Sequence, residues 1–223
     1  MPRALSGAMA ALVMVISGCG GGAMVDSSSS SVWRDVWKDV PPAPALRRNP
    51  NPTAYEMTLT VHDAPGPFAV AQGFMQYETR LQDPCGPDMG GMSGTRRGLK
   101  ENIPFAVEQT SPGVFRGVVY TDLVESHDYF GLGICHVPMV AAHIVLWPTG
   151  PDGDRKETPF IEFLTTEEII SGLVRKSGFL RRHYPDGGFD DIPAMRFRVG
   201  TQLRDRVKES ELFNVDLTAV KID

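Results

Sequence analysis

Apolar and polar side chains alternate residue by residue over several stretches of the chain, and this alternation constrains the fold most. It is clearest over residues 55–62 and returns over 103–107 and 213–219. A period of two places successive side chains on opposite faces of a β-strand, so one face of each stretch can be buried. Turn-forming glycines and prolines separate the stretches, as at 63–67 and 110–113. The sequence therefore predicts a mostly β protein, an antiparallel β-sandwich.

The predicted sandwich domain spans residues 55–223. Further strands are predicted at 68–79, 114–121, 129–137, 141–147 and 160–164. Gly73 is expected to mark a bulge in the first of these. One face of the strands should form the core: Tyr55, Leu59, Val61, Phe74, Phe105, Phe115, Val119, Leu132, Ile134, Ile144, Leu146, Phe213, Val215 and Leu217.

One short helix and one irregular stretch interrupt the β pattern. Thr165 and Glu168 have the spacing of a capping box at the start of a helix. Gly178 lies just beyond its expected end. The apolar face of this helix should consist of Ile169, Ile170, Leu173 and Val174. Residues 175–208 show no regular period, so we expect an irregular C-terminal insertion there.

The first 18 residues have the layout of an export signal. Arg3 is their only charged residue, and it precedes an apolar stretch at residues 7–16. This stretch is too short to cross a bilayer, which needs about 20 apolar residues. Residues 15–19 then read Val-Ile-Ser-Gly-Cys, so an aliphatic pair and two small residues lead directly to Cys19.

Residues 15–19 resemble the lipobox of bacterial lipoproteins, and the chain is similar to envelope lipoproteins of proteobacteria. The resemblance implies a signal peptide cut before Cys19, a diacylglycerol on its thiol, and a further acyl chain such as palmitate on its amino group. In that family Asp after the cysteine favours the inner membrane, so Gly20 implies the outer membrane. We expect the domain to face the periplasm. The alternative is an ordinary signal peptide in which Cys19 occurs by chance.

Residues 19–54 are expected to form a lipidated tether. Glycines at 20–22 and serines at 27–31 favour flexible chain, whereas the prolines between 41 and 52 favour extended backbone. Residues 32–40 place valines and tryptophans at helical spacing opposite charged residues. The apolar face of this amphipathic segment needs a surface to pack against. The alternatives are the lipid interface, the protein's own domain and a partner.

The chain has three cysteines. If Cys19 carries lipid, Cys85 and Cys135 remain as an even pair in an oxidising compartment, which predicts a disulfide. Two unpaired buried thiols are the alternative. Removal of the signal takes away Arg3, so Lys+Arg falls from 22 to 21 against 27 Asp+Glu and the formal net charge changes from -5 to -6. We therefore expect no nucleic acid partner.

A candidate binding loop follows the first of these two cysteines. Residues 84–98 contain five glycines and two prolines. We interpret Met89, Met92, Arg96 and Arg97 as its contact residues, because methionines adapt to varied surfaces and arginines meet acidic partners. An ordinary long connection is the alternative.

No motif predicts catalysis, a metal site or a cofactor. Residues 91–95 come close to a G-x-S-x-G elbow around Ser93, but threonine replaces the last glycine and a glycine- and proline-rich loop precedes it. The histidines lack the spacing of a zinc site, although neighbouring strands could bring His136 and His143 together. The acidic loop at 186–191 lacks the ligand spacing of an EF-hand, so only weak calcium binding stays open there.

Three functional hypotheses remain. The first is a non-enzymatic protein-binding module of the envelope, with toxin immunity as a specific form. The second is a structural lipoprotein subunit of an envelope secretion machine, with residues 32–40 as the contact. The third is a periplasmic esterase-like hydrolase that uses Ser93.

Overall fold

The computed structural model of the chain describes residues 43–80, 83–90, 94–148, 159–185 and 194–223. These residues belong to one compact unit, Asp39–Asp223. The predicted signal, Cys19, the tether up to residue 42, Met92, Ser93 and the acidic loop lie outside the described residues. Among the residues described, no helix combines the length and the apolar character needed to span a bilayer.

The described residues form two antiparallel sheets that face each other as a β-sandwich, which confirms the predicted fold class. The strands are β1 (Ala54–His62), β2 (Val70–Glu78), β3 (Lys100–Phe105), β4 (Glu108–Ser111), β5 (Val114–Tyr120), β6 (Met139–Trp147), β7 (Phe160–Thr165), β8 (Arg175–Leu180), β9 (Arg196–Arg198) and β10 (Leu212–Lys221). The six-stranded sheet has the order β4-β5-β1-β10-β8-β9, and the four-stranded sheet has the order β3-β2-β6-β7.

The core lies between the two sheets and follows the predicted alternation in most strands. In β1, Tyr55, Met57 and Leu59 are buried while the residues between them are half-buried. Val61 and Phe105 are partly buried and pack against the core. The other confirmed members are Phe115, Val119, Ile144, Leu146, Phe213, Val215 and Leu217.

In β2 the prediction chose the wrong face. Phe74 points away from the core, and its neighbours Met75 and Tyr77 are buried instead. Gly73 is not a bulge, because the ladder is regular there and shifts only between Gln76 and Tyr77. A Cβ atom at Gly73 would lie 2.4 Å from the ring of Phe105. Glycine is needed at this inward position because an aromatic ring lies directly over the backbone.

The predicted strand at 129–137 is wrong. Gly131 and Gly133 have φ angles of 73° and 120°, which break the extended backbone. The carboxylate of Asp128 accepts the N–H groups of Leu132 (3.0 Å) and Gly133 (3.2 Å). Leu132 and Ile134 are consequently 54% and 56% exposed, although both were predicted to lie in the core.

The predicted helix is present but shorter than expected. The capping box is confirmed, and it starts α1 (Thr166–Ser171) with Thr165 as the N-cap. The helix ends at Gly172, whose left-handed conformation closes the last turn long before Gly178. Ile169 is therefore its only buried apolar residue. The other members of the predicted apolar face are exposed: Ile170, Leu173 and Val174.

Residues 175–208 are not an irregular insertion throughout. They begin with β8, which pairs with β10 inside the six-stranded sheet, and they include β9 at its edge. The domain also begins earlier than the predicted boundary between residues 54 and 55. Leu46 packs against the core, and the N–H group of Asn49 donates to the carbonyl of Leu123 (2.8 Å).

Candidate functional site

Cys85 and Cys135 lie within disulfide distance, with 2.10 Å between the sulfur atoms. Both residues are buried. Cys85 belongs to the connection between β2 and β3, and Cys135 belongs to residues 121–138, which connect β5 and β6. The bond therefore ties together the two long loops at one end of the sandwich, which we call the disulfide end.

Residues 83–90 and 94–98 form the two arms of a small hairpin at the disulfide end. The N–H group of Met89 donates to the carbonyl of Thr95 (2.8 Å), and the N–H group of Arg97 donates to the carbonyl of Pro87 (2.9 Å). A Cβ atom at Gly86 would lie 1.9 Å from the carbonyl oxygen of Arg97. Only glycine fits there, so the hairpin depends on that position.

The hairpin places the predicted contact residues differently. Arg96 is exposed, but its guanidinium group donates to the carbonyl oxygen of Gly86 (3.0 Å) and so helps to hold the hairpin. Met89 and Arg97 are half-buried. Met92 lies outside the described residues. Arg96 and the backbone of Met89 therefore help to hold the hairpin.

A cavity of about 550 Å³ opens beside the disulfide, between the two loops. Its polar side chains carry charges of both signs, and Asp122 is already engaged through its bonds to the N–H group (2.6 Å) and hydroxyl (3.2 Å) of Thr53. The lining residues are Arg80, Asp83, Thr121, Asp122, Val124, Ser126, His136, Val137 and Pro138.

The cavity contains one close pair of chemically active side chains. The hydroxyl of Ser126 lies 2.9 Å from Nδ1 of His136. A serine beside a histidine can act as a nucleophile with its base, provided that a third group orients the ring. Within the part of the chain that the structure describes, no carboxylate bonds to Ser126 or His136. The described residues therefore supply the nucleophile and base of a hydrolytic site but no third group that orients the ring.

His136 and His143 are not brought together. His143 lies in β6 on the outer face of the four-stranded sheet, where it stacks on Phe74. His136 lies at the cavity and contacts Ser126. The described residues contain no group of three or more side chains arranged to hold a metal ion.

The loop at 121–138 is the part of this end that sequence reasoning missed. Asp128 and the two glycines after it hold Leu132 and Ile134 out in solvent, and Cys135 fixes the end of the same stretch. The predicted disulfide could have located this loop. A bond from Cys85 to Cys135 requires the residues just before Cys135 to lie beside the hairpin that contains Cys85.

Comparison of the chain with protein-family models, with curated proteins and with solved structures finds no match. The residues of the chain itself therefore carry the functional argument.

Proposed function

We propose that the protein is an outer-membrane lipoprotein that binds a protein partner through the disulfide end of its sandwich. The anchor is supported by the lipobox-like run at residues 15–19. The binding role is supported by one observation above all. Leu132 and Ile134 are large aliphatic residues that are more than half exposed in a loop held by a disulfide.

Exposed aliphatic side chains on a constrained loop are suited to recognition. Contiguous exposed apolar surface is typical of interaction sites. Leu132 and Ile134 place two exposed aliphatic side chains within three residues of one loop. The bonds to Asp128 and the link at Cys135 restrict the loop before any partner arrives. A restricted loop loses less conformational entropy on binding, which favours affinity.

The position of the loop relative to the start of the domain also supports this role. The N–H group of Arg47 donates to the hydroxyl of Tyr129 (3.1 Å), and Arg48 forms a β-bridge with Val124. The chain coming from the proposed anchor therefore enters the domain along the 121–138 loop. A partner bound there would be held close to the point where the tether joins the domain.

A pull-down from envelope extracts with the purified full-length protein as bait tests the proposal. Wild-type protein should retain a specific partner, and replacement of Leu132 and Ile134 by Asp should abolish that retention. Leu203→Asp is the matched control, since Leu203 is an aliphatic residue of similar exposure (49%) outside this loop. The proposal fails if wild type retains no partner, or if the control loses the partner equally.

Toxin immunity is the specific form of binding that we favour. Deletion of the gene should then lower survival in competition with a toxin-delivering rival. Complementation with the Leu132→Asp, Ile134→Asp variant should not restore survival, whereas the Leu203→Asp variant should.

The Ser126–His136 contact favours ester hydrolysis as a second candidate function. Nδ1 of His136 would take the hydroxyl proton while Ser126 attacks the ester carbonyl, and would return it to the alcohol as the ester C–O bond breaks. Water would then attack the acyl group on Ser126 and release it as the acid. The cavity would admit a small acyl group. A fluorophosphonate probe should then label the wild-type protein and leave Ser126→Ala unlabelled. Equal labelling of the two proteins, or of neither, would remove this candidate.

A further inference from the structure

Three arginine side chains surround one phenylalanine ring where the β9 edge of the six-stranded sheet meets the β7 edge of the four-stranded sheet. The guanidinium carbons of Arg196, Arg175 and Arg198 lie 4.2, 4.8 and 5.5 Å from the ring centroid of Phe163. Phe163 belongs to β7, at the edge of the four-stranded sheet, whereas the arginines belong to β8 and β9 of the other sheet. We call this cluster the arginine edge.

The strand register shows which way the arginines point. Arg196 lies opposite Phe179 and Arg198 lies opposite Ser177 in the β8–β9 pair. Directly opposed residues project from the same face of a sheet. Phe179 belongs to the main core, so Arg196 and Arg198 project from the inner face of the six-stranded sheet. The arginine side chains thus start on the inner face of the six-stranded sheet and reach the edge strand β7, where they contact Phe163.

Two of the three arginines have carboxylate partners. Arg175 pairs with Glu168, and Arg196 donates to Oε1 of Glu162 at 2.8 Å. Arg198 has no carboxylate partner among the residues that the structure describes, and its guanidinium group lies over the Phe163 ring. Among the described residues, the arginine edge therefore contains three guanidinium groups and two carboxylates, which leaves one positive charge unbalanced.

Two buried polar atoms at the arginine edge have no hydrogen-bond partner among the described residues. They are the hydroxyl oxygen of Ser177 and Oε2 of Glu162, and each residue is only 1% exposed. Buried polar atoms normally have partners, because an unpaired one loses its hydrogen bonds to water without replacing them. Ser177 lies directly opposite Arg198 in the β8–β9 pair, so the two side chains project from the same face of the sheet. Glu162 Oε2 can accept from a protonated oxygen or from water.

We propose that Arg198, with Arg196 and Ser177, binds a small oxyanion at the arginine edge. The ligand is a carboxylate or a phosphate, because the planar guanidinium fork matches both groups. The anion balances the surplus charge and gives the Ser177 hydroxyl an acceptor. A monoprotonated phosphate would in addition donate to Glu162. This site is separate from the disulfide end and does not rest on the proposed function.

Thermal unfolding and calorimetric titration of the full-length protein with inorganic phosphate and with acetate, at ionic strength held constant with chloride, test the site. Phosphate or acetate should raise the melting temperature of the wild type beyond the effect of chloride, and the stronger of the two identifies the oxyanion. Arg198→Gln should weaken the binding by about tenfold or more, because a charge-assisted bidentate contact is lost. Ser177→Ala should weaken it to a smaller extent.

Arg116→Gln is the matched control. Arg116 is an arginine of the same sheet, in β5, whose exposed side chain pairs with Glu56. Its replacement should leave anion binding unchanged. The proposal is overturned if neither anion stabilises the wild type, or if Arg116→Gln and Arg198→Gln weaken binding equally.

A second set of variants tests whether the chain fills the site itself. Asp190 and Asp191 precede β9 in the sequence. Arg198→Gln is introduced into the wild type and into a chain that carries Asp190→Asn and Asp191→Asn, and the melting temperature is measured in both backgrounds. If the substitution lowers the melting temperature only in the wild type, an aspartate of the chain pairs with Arg198 and the proposal is overturned. If the effect of Arg198→Gln is the same in both backgrounds, the site is open to an external anion, as proposed.

Discussion

His143 stacks face to face on Phe74, with the ring centroids 4.4 Å apart and the planes 8° from parallel. The two residues are directly opposed in the β2–β6 ladder, and Phe163 is opposed to His143 on its other side, with a centroid distance of 5.1 Å. Burial, with a smaller contribution from the charge of Arg196, lowers the pKa of His143 to about 4. The imidazole is therefore a neutral ring in a row of aromatic side chains.

This row predicts that acid destabilises the protein through His143. In the unfolded chain the histidine takes up a proton near pH 6.5, whereas in the folded domain it does so only near pH 4. Between these values the unfolded state binds more protons, so the free energy of unfolding falls as the pH falls from about 6.5 to about 4. Melting temperatures between pH 7 and pH 4.5 should show this loss.

His143→Phe is the comparison that isolates the effect. Phenylalanine keeps an aromatic ring between Phe74 and Phe163 and cannot be protonated. The variant should lose less stability on acidification than the wild type, while the other titrating groups act equally in both. Parallel pH profiles for the two proteins would show that His143 does not contribute.

The disulfide should stabilise the domain substantially. Cys85 and Cys135 are 50 residues apart, and closing a loop of that length contributes about 4 kcal/mol in the chain-entropy model. Urea unfolding of a variant with both cysteines changed to Ala should show a loss of that order. A free energy of unfolding equal to that of the wild type, or titratable thiols at both positions in the oxidised protein, would contradict the link.

Removal of Glu162 should cost more than removal of an exposed carboxylate. The Glu162 side chain is 2% exposed and pairs with Arg196, so Glu162→Leu leaves a largely buried guanidinium group without its partner. Such a change costs about 3 kcal/mol. Glu56→Gln, which breaks the exposed pair with Arg116, should cost less than about 1 kcal/mol. If chemical denaturation shows similar losses in the free energy of unfolding for the two variants, burial of the Glu162–Arg196 pair does not have the effect that we predict.

The anchor can be tested on Cys19 alone. The mass of native protein extracted from envelopes should equal that of a chain that starts at Cys19 and carries several fatty acyl groups. Cys19→Ala should release the domain from the membrane fraction. An unprocessed amino terminus without fatty acid would contradict both the anchor and the localisation that we propose.

Local and half-buried patterns were predictable from the sequence. The alternation of Tyr55 and Leu59 identified β1, because one face of an antiparallel strand meets the core while the other meets solvent. Thr165 and Glu168 identified the helix start, because a capping box involves only neighbouring residues. The Cys85–Cys135 pairing followed from the number of cysteines and the expected compartment.

Features that depend on tertiary context were not predictable. Phe74 and Met75 are both apolar because the outer face of the four-stranded sheet carries half-buried aromatic side chains while the inner face is buried, so the alternation in β2 did not identify the inner face. β8 was missed because Arg175 and Ser177, which are buried on its inner face, are polar. Leu132 alternates like a core residue but is held in solvent by the glycine turns around it.

The candidate site was predicted only in part. The sequence placed the 84–98 loop and its cysteine, but the contact between that loop and residues 121–138 exists only once the disulfide brings them together. Ser126 and His136 form no motif, since the 2.9 Å contact between them arises from the folding of the loop.

Photo-crosslinking in living cells tests the proposed binding surface most directly. A photoreactive amino acid at Leu132 should give one adduct of defined mass, and the same amino acid at Leu203 should give none. The Leu132 adduct should weaken when Cys85 and Cys135 are replaced, because the loop then loses its constraint. No adduct at Leu132, or the same adduct at both positions, would contradict the account.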